Sequence, residues 1–412
     1  MLTEPPFLDL SKPGFSTKGP EVMAARRTSW CARTPFGLAV LRHREAGQLL
    51  RDRRLRQGSY AWPDTMGLAG SFAAFWKRSV ISQEGQVHKA QRRLAQAALS
   101  PEFIASLVPD FDRSARDLIA KLQARDSCEF IHDFTEPFAG RAIATLLGLP
   151  ATQATAIARD AAALGLAMGL DCKAHEPVFN AACDRLTGLA RDLIARARDG
   201  RDRGGFVARL VASARDAPVP DQVLLDLVVI SIFGGVDTTR AQLGFAMALF
   251  ADHPDQWRML RADPTLVPQA IEEVIRAWPT TTWSTREAVA SFDFGGVRIG
   301  KGETLHMLVH ATATDPRVAP DWRFDISARR KMHFGFGGGA HHCLGQLVAR
   351  TDMACALDAL AATFDTVGYA GTPEWLPDSG NTSPKRLPLT FTAAPAGSRS
   401  GRPSAGTTDP PR

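Results

Sequence analysis

The run Phe336-Gly-Gly-Gly-Ala-His-His-Cys-Leu-Gly345 sets one cysteine at the end of a glycine-rich turn. Gly337, Gly338 and Gly339 free the backbone for positive φ and for close approach to a flat partner, which side chains would block. Leu344 to Met353 reads as a helix. Cys343 then stands near a helix N-terminus, where amide dipoles favour a thiolate, a good iron ligand, over a thiol. A second pattern, Gly234-Gly-Val-Asp-Thr-Thr239, puts an acid, Asp237, beside an alcohol, Thr238, inside a helical run. Each glycine there costs about 1 kcal/mol relative to alanine, so something must offset the loss. His88 and Arg92 share a helical face at i, i+4 and offer two donors to a carboxylate. Glu273 and Arg276 form an acid–base pair at i, i+3.

Each pattern has a plainer reading. Cys343 alone could be a buried structural thiol. His341, His342 and Cys343 suggest zinc, but such close neighbours do not converge on one tetrahedral ion, and no second ligand pair follows at finger-like spacing. His88 and Arg92 could belong to a solvated basic face with Lys89 and Arg93. Thr238 could bond back to its own helix, and a lone Glu273–Arg276 pair on a surface would be worth under about 1 kcal/mol.

Taken together, Phe336, Gly337, Gly339, His341, Cys343 and Gly345 fit F-G-x-G-x-H-x-C-x-G, and the chain resembles the cytochrome P450 family. The other three patterns match that family in its order and spacing. The resemblance implies a mainly α fold with small β-sheets, in which haem lies between a long central helix and the helix following the cysteine loop. It implies haem b (iron protoporphyrin IX) with Cys343 as axial ligand, a thiolate that favours cleavage of the oxygen–oxygen bond. His88, Arg92, Gly235, Arg286, Phe336, Gly337, His341 and Gly345 would bind the cofactor. Asp237 and Thr238 would relay protons to activated dioxygen. Glu273 and Arg276, completed by an arginine from a later loop, would support the haem loop, and Arg323 is the expected third member. The family's arginine four residues beyond the position of Phe324 is Ala328 here, with Arg329 beside it.

The activity so implied is insertion of one atom of O2 into a hydrophobic small organic substrate, with electrons from NAD(P)H through a ferredoxin and its reductase. Trp62, Met66, Phe72, Phe75, Trp76, Ile232, Phe233, Val236, Thr281, Thr282 and Trp283 are the expected pocket residues. Without the resemblance, the aromatics between Gln57 and Ser79 read as a satellite core beneath a loop. Two alternatives keep the haem: a peroxygenase driven by hydrogen peroxide, against which the intact Asp237–Thr238 pair argues, and a haem-based sensor, which would not need that pair.

Composition narrows the class. The chain has 412 residues, 45% hydrophobic and 22% charged, as expected of a soluble globular protein. Its six cysteines form no paired framework, and Met1 to Gly14 lacks a basic-then-apolar leader, so a reducing cytoplasm is the expected setting. The net charge of +6 is dispersed along arginine-rich helices. That pattern argues against nucleic acid and for a basic docking face toward an acidic electron donor. The most apolar run, Leu224 to Gly235, is shorter than the roughly 20 residues of a membrane span, so no membrane insertion is expected.

The elements that must position these groups follow from periodicity. A helix from Asp221 to about Asp252 would run about 45 Å and cross a whole domain. Helices are also expected at Arg44–Arg53, Glu84–Leu99 and Pro268–Trp278, strands at Phe36–Leu41, Phe292–Ile299 and Thr304–Val309, and a last hairpin at Pro384–Phe391. Gln57 to Ser79, with glycines and Pro63, reads as a long loop with little regular structure. One domain over 1–392 and a disordered tail at 393–412 complete the expectation.

Overall fold

The computed structural model describes residues 4–394, apart from 203, 217, 218 and 379. It is a helical protein with small sheets, organised around the helix Asp221–Asp252, whose bounds are those the sequence predicts. Burial explains its composition. Leu227, Val228 and Ile232 enter one core cluster with the helices Glu136–Leu146, Ala154–Gly165 and Glu176–Arg198. Further along, Leu243, Met247 and Phe250 enter a second with Val267–Ala277 and Gln346–Thr363. By length and composition this helix could cross a membrane. Here it is instead the apolar-all-round core helix of a globular fold, and its buried Asp226 accepts two hydrogen bonds from Arg78, at 2.9 and 3.1 Å.

The largest sheet orders its strands Cys31–Thr34, Gly37–Val40, Thr304–Leu308, Trp283–Ala288, Leu55–Gln57, with a parallel pairing only between the second and third. Its use for the site is direct: Arg286 sits opposite Leu305 on one side and Gln57 on the other, so its side chain leaves a rigid strand. A three-stranded sheet of Ser127–Glu129, Pro388–Ala393 and Phe364–Tyr369 lies under the second cluster.

Four expectations change. The segment 57–79 is not mainly loop: it holds short helices at Trp62–Thr65 and Gly70–Arg78. Gly70 at φ +83° obscured the second one, and its start is fixed by distant groups, because Asn180 accepts from the Phe72 N–H at 2.9 Å and donates to the Ala69 carbonyl at 3.1 Å. The last hairpin is not a hairpin. Pro384–Arg386 pairs with Glu374–Trp375, whereas Pro388–Ala393 pairs with two other strands. Ala393, expected in the tail, closes that strand, and 395–412 lie outside the described residues. The cysteine-loop helix begins at Gln346, two residues later than predicted, and runs to Thr363.

Candidate functional site

The glycine loop packs on the end of the His43–Leu49 helix. Gly337 and Gly339 have φ +69° and +68°, while Gly338 is extended. A side chain on Gly339 would overlap the Leu50 carbonyl oxygen, so its close partner is protein backbone. The loop closes on itself through the Cys343 N–H, which donates to the Phe336 carbonyl at 2.9 Å. Arg350 lies over the Phe336 ring at 4.4 Å, and its guanidinium bonds Glu272 at 2.6 and 3.2 Å. His333 reaches the same carboxylate at 3.2 Å. Burial alone would raise the Glu272 pKa, but these two partners outweigh it and hold the acid at about 2. Sequence reasoning missed Glu272, Arg350 and His333, because only the fold brings them under the loop.

Cys343 itself differs from expectation. Its burial pushes the thiol above its ordinary value, although the Gly345 and Gln346 N–H groups and the charges of Arg92 and Arg350 pull the other way. The helix N-terminus is present, but desolvation outweighs it.

Four nitrogen-bearing side chains converge beside this loop. Arg286 donates to the Gly338 and Thr285 carbonyls at 3.0 Å each, and Arg92 to the His342 carbonyl at 2.8 Å. His88 and His341 stack at 4.0 Å, and His341 meets Glu84 at 3.0 Å. Burial lowers Arg286 to about 10 despite the charge of Glu84. Burial, then the charges of His341 and Arg92, push His88 down to about 4. The His88 Nε2 is buried with no hydrogen-bond partner among the described residues. Among the described residues both arginines bond only carbonyl oxygens, and an orphaned buried nitrogen beside them marks a place where acidic oxygens are wanted. A flat group with two carboxylates at one edge, coordinated by a sulfur near its centre, fits this donor set.

On the central helix the two glycines part company. A side chain on Gly235 would come within 3.0 Å of Ile143, so Gly235, expected at the cofactor, is a helix-packing residue. Gly234 faces open space and is exposed in mid-helix. Thr238 Oγ1 donates to the Gly234 carbonyl at 2.6 Å, across that opening. Asp237 pairs with Arg240 at 3.0 Å. Thr239 lies 3.4 Å from Asp352, a wholly buried acid of the cysteine-loop helix whose pKa burial drives well up.

Glu273 meets two arginines, and the second is not the expected Arg323. Glu273 and Arg276 form a buried bidentate pair, 2.6 Å on both bonds. The approaching arginine is Arg330, at 3.3 and 3.4 Å from the two Glu273 oxygens. Arg323 points outward, with 81% of its side chain exposed, and pairs with Asp321. Only its carbonyl joins the network, accepting from Arg276 at 3.3 Å and Arg330 at 2.6 Å. Arg330 thus takes the place expected of Arg323.

The expected pocket residues also divide. Phe72, Phe75, Trp76, Ile232 and Val236 have almost no accessible surface, so they back a wall from inside the first core cluster and do not line a cleft. Trp76 stacks on Phe72 and donates to the Ser59 carbonyl. Trp283 packs against the amino-terminal cluster of Leu8, Leu10 and Phe15. Trp62, Met66 and Thr281 keep accessible surface, and Phe233 contacts the Trp76 edge. The Trp62 indole donates to the Ala167 carbonyl at 2.7 Å, strapping this segment to the loop before Glu176–Arg198. Thr281 and Thr282 are held by the loop before Pro384–Arg386 through the Asn381 bridge and the Gly380 carbonyl.

Comparison with known proteins identifies the family and the fold. The cytochrome P450 family model matches residues 170–387. The chain is 36% identical to a luteothin monooxygenase of Streptomyces thioluteus over 94% of this chain and 97% of that one. It is 27% identical to a nocardicin C N-oxygenase of Nocardia uniformis subsp. tsuyamanensis, again over 94% and 97%. The crystal structure of CalO2 superposes with a TM-score of 0.83, at 26% identity over 90% of this chain and 95% of that one. A cytochrome P450 from Chondromyces apiculatus shares the fold, with a TM-score of 0.84, at 23% identity over 94% and 98%. A cysteine loop ringed by cationic donors, a mid-helix opening beside an acid–alcohol pair and these matches have one reading: the chain belongs to the cytochrome P450 family and is a cytochrome P450 monooxygenase.

Proposed function

We propose that this monooxygenase holds haem b through Cys343 and oxidises a hydrophobic small organic substrate by hydroxylation or epoxidation. The observation that carries the reading is the gathering of Arg92, Arg286, His88 and His341 at one edge of the cysteine loop, where the nearby acid is Glu84. Propionates would replace the carbonyl oxygens that the arginines now bond and would supply the acceptor that His88 lacks. Phe336, Gly337 and Gly345 shape the loop around the sulfur. When bound, the haem supplies the site of dioxygen reduction, and the protein supplies position and charge.

The chain's own groups then have distinct tasks. Thr238 Oγ1, now donating to Gly234, needs only a rotation about χ1 to offer its proton into the opening. Asp237 exchanges protons with that alcohol and with solvent. Glu273, Arg276 and Arg330 keep the loop in register and touch no reacting atom. Trp62, Met66 and Thr281 present a mostly apolar face to substrate, backed by the buried Phe233. The name of the relative from Streptomyces thioluteus puts luteothin-like compounds first among those to try.

The electrons come from NAD(P)H through a ferredoxin and its reductase, docking on the basic surface of a cytoplasmic, single-domain protein with net charge +6. The test is spectral. Reduced protein under carbon monoxide is expected to show the long-wavelength Soret band of thiolate ligation, and Cys343→Ser to lose it. Thr238→Ala should release more hydrogen peroxide and less product per dioxygen consumed. A wild-type protein without that Soret band would refute the ligand assignment.

A further inference from the structure

The central helix carries one acid–arginine pair of the same i, i+3 kind as the pair on the helix Val267–Ala277, but built differently. Glu273–Arg276 is bidentate, at 2.6 Å on both bonds, and fully buried. Asp237–Arg240 is held by one nitrogen at 3.0 Å, with 14% and 13% of the two side chains exposed. That same nitrogen also reaches Ser383 Oγ at 3.3 Å, while the Arg240 Nε is buried with no acceptor among the described residues. A shared donor and an orphaned N–H describe a contact of low cost to rearrange. Asp237 has no other ion pair among the described residues, and the nearest wall of the neighbouring helix is Gly165, which carries no charge.

Ser383 is not an isolated surface group. Pro384 lies so close to the central helix, one turn beyond Arg240, that a side chain on Gly244 would stand 2.7 Å from it. The same loop is fastened to the segment expected beside substrate. The Thr382 N–H donates to the Thr280 carbonyl at 2.8 Å and the Thr282 N–H to the Gly380 carbonyl at 3.1 Å. A displacement of 280–282 therefore moves Ser383, and with it the nitrogen that holds Asp237.

We infer that Arg240 is a positioning residue, a releasable catch that pins Asp237 to Ser383 and frees the carboxylate for proton exchange when the 380–384 loop shifts. The inference rests on the proton-relay role of Asp237 proposed above. Its chemistry is proton exchange only. Once the guanidinium withdraws, the carboxylate takes a proton from solvent and passes one to the Thr238 oxygen as that hydroxyl gives its own proton into the opening at Gly234, with no net electron transfer.

The test uses the holoenzyme reduced with dithionite and mixed rapidly with air-saturated buffer across the pH range, with reoxidation followed at the Soret band. Removing a cation beside a carboxylate raises its pKa by about one unit or more. Arg240→Gln should therefore move the midpoint of the pH profile upward by about one unit, and Arg240→Lys should restore it. In an Asp237→Asn background, Arg240→Gln should add nothing. Ser383→Ala should leave the midpoint in place. Both Ser383→Ala and Arg240→Gln should speed amide hydrogen exchange across 380–387 about threefold or more in the holoenzyme, a readout independent of turnover. An Arg240→Gln effect of equal size with and without Asp237, or unchanged exchange in both loop variants, overturns the catch. An Asp237→Asn profile identical to the parent's would instead overturn the relay reading beneath it.

Discussion

Replacing Glu273 by Gln keeps the shape of the side chain and removes its charge, leaving Arg276 buried with no counter-charge in its bidentate slot. Breaking a buried pair from one side costs about 3–5 kcal/mol. For a 412-residue chain the unfolding entropy near the transition is about 0.9 kcal/mol/K, so the midpoint should fall by roughly 3–6 °C. Arg330→Gln removes the weaker contacts at 3.3 and 3.4 Å. A hydrogen-bonded charge is worth about 1.5–3 kcal/mol, so roughly 2–3 °C is expected. Arg323→Gln should leave the transition where it was, because its side chain is exposed and its contribution to the network is a carbonyl any residue supplies. Scanning calorimetry of the haem-free proteins measures all three, and the haem-to-protein ratio after reconstitution should fall in the same order. A Glu273→Gln protein that melts with the parent, or an Arg323→Gln protein that melts as early as Arg330→Gln, would refute the assignment of partners.

The remaining expectations concern backbone and pH. Gly339→Ala forces a side chain at φ +68° into the Leu50 carbonyl, so the loop must rearrange, at a cost of about 1–3 kcal/mol of strain, and haem retention should drop. A Gly339→Ala protein with full haem content and parental stability would count against that packing. His88, ordinarily near 6.5, sits at about 4 in the folded haem-free chain, so between those values the unfolded chain binds more protons. Haem-free stability is therefore expected to be fully present above about pH 6.5 and to decline toward pH 4. His88→Gln should flatten that slope in acid titrations followed by circular dichroism. Gly244→Val should push Pro384 away, loosening 380–387 in hydrogen exchange and costing about 1–3 kcal/mol in denaturant unfolding. Unaltered exchange there would show that the loop does not depend on this contact.

The residue pattern by itself determined the central helix, the Gly85–Ala98 helix with His88 and Arg92, the cysteine loop and the Glu273–Arg276 pair, because each depends on near neighbours in sequence. Periodicity, short spacings and glycine runs act within a few turns, and so they can be read from the chain. Partners from far away could not be read. Arg323 is the expected partner until the loop's path turns its guanidinium to solvent and that of Arg330 inward. Phe72 and Ile232 look like pocket residues until packing takes away their accessible surface. The opposite roles of Gly234 and Gly235 follow from which one faces Ile143. Likewise Asp237 acquires Ser383 through Arg240 only because a glycine at 244 lets a loop 140 residues later settle on the helix. Burial and long-range hydrogen bonds are properties of the assembled fold, and they decided how the recognisable motifs are held and where their charges end.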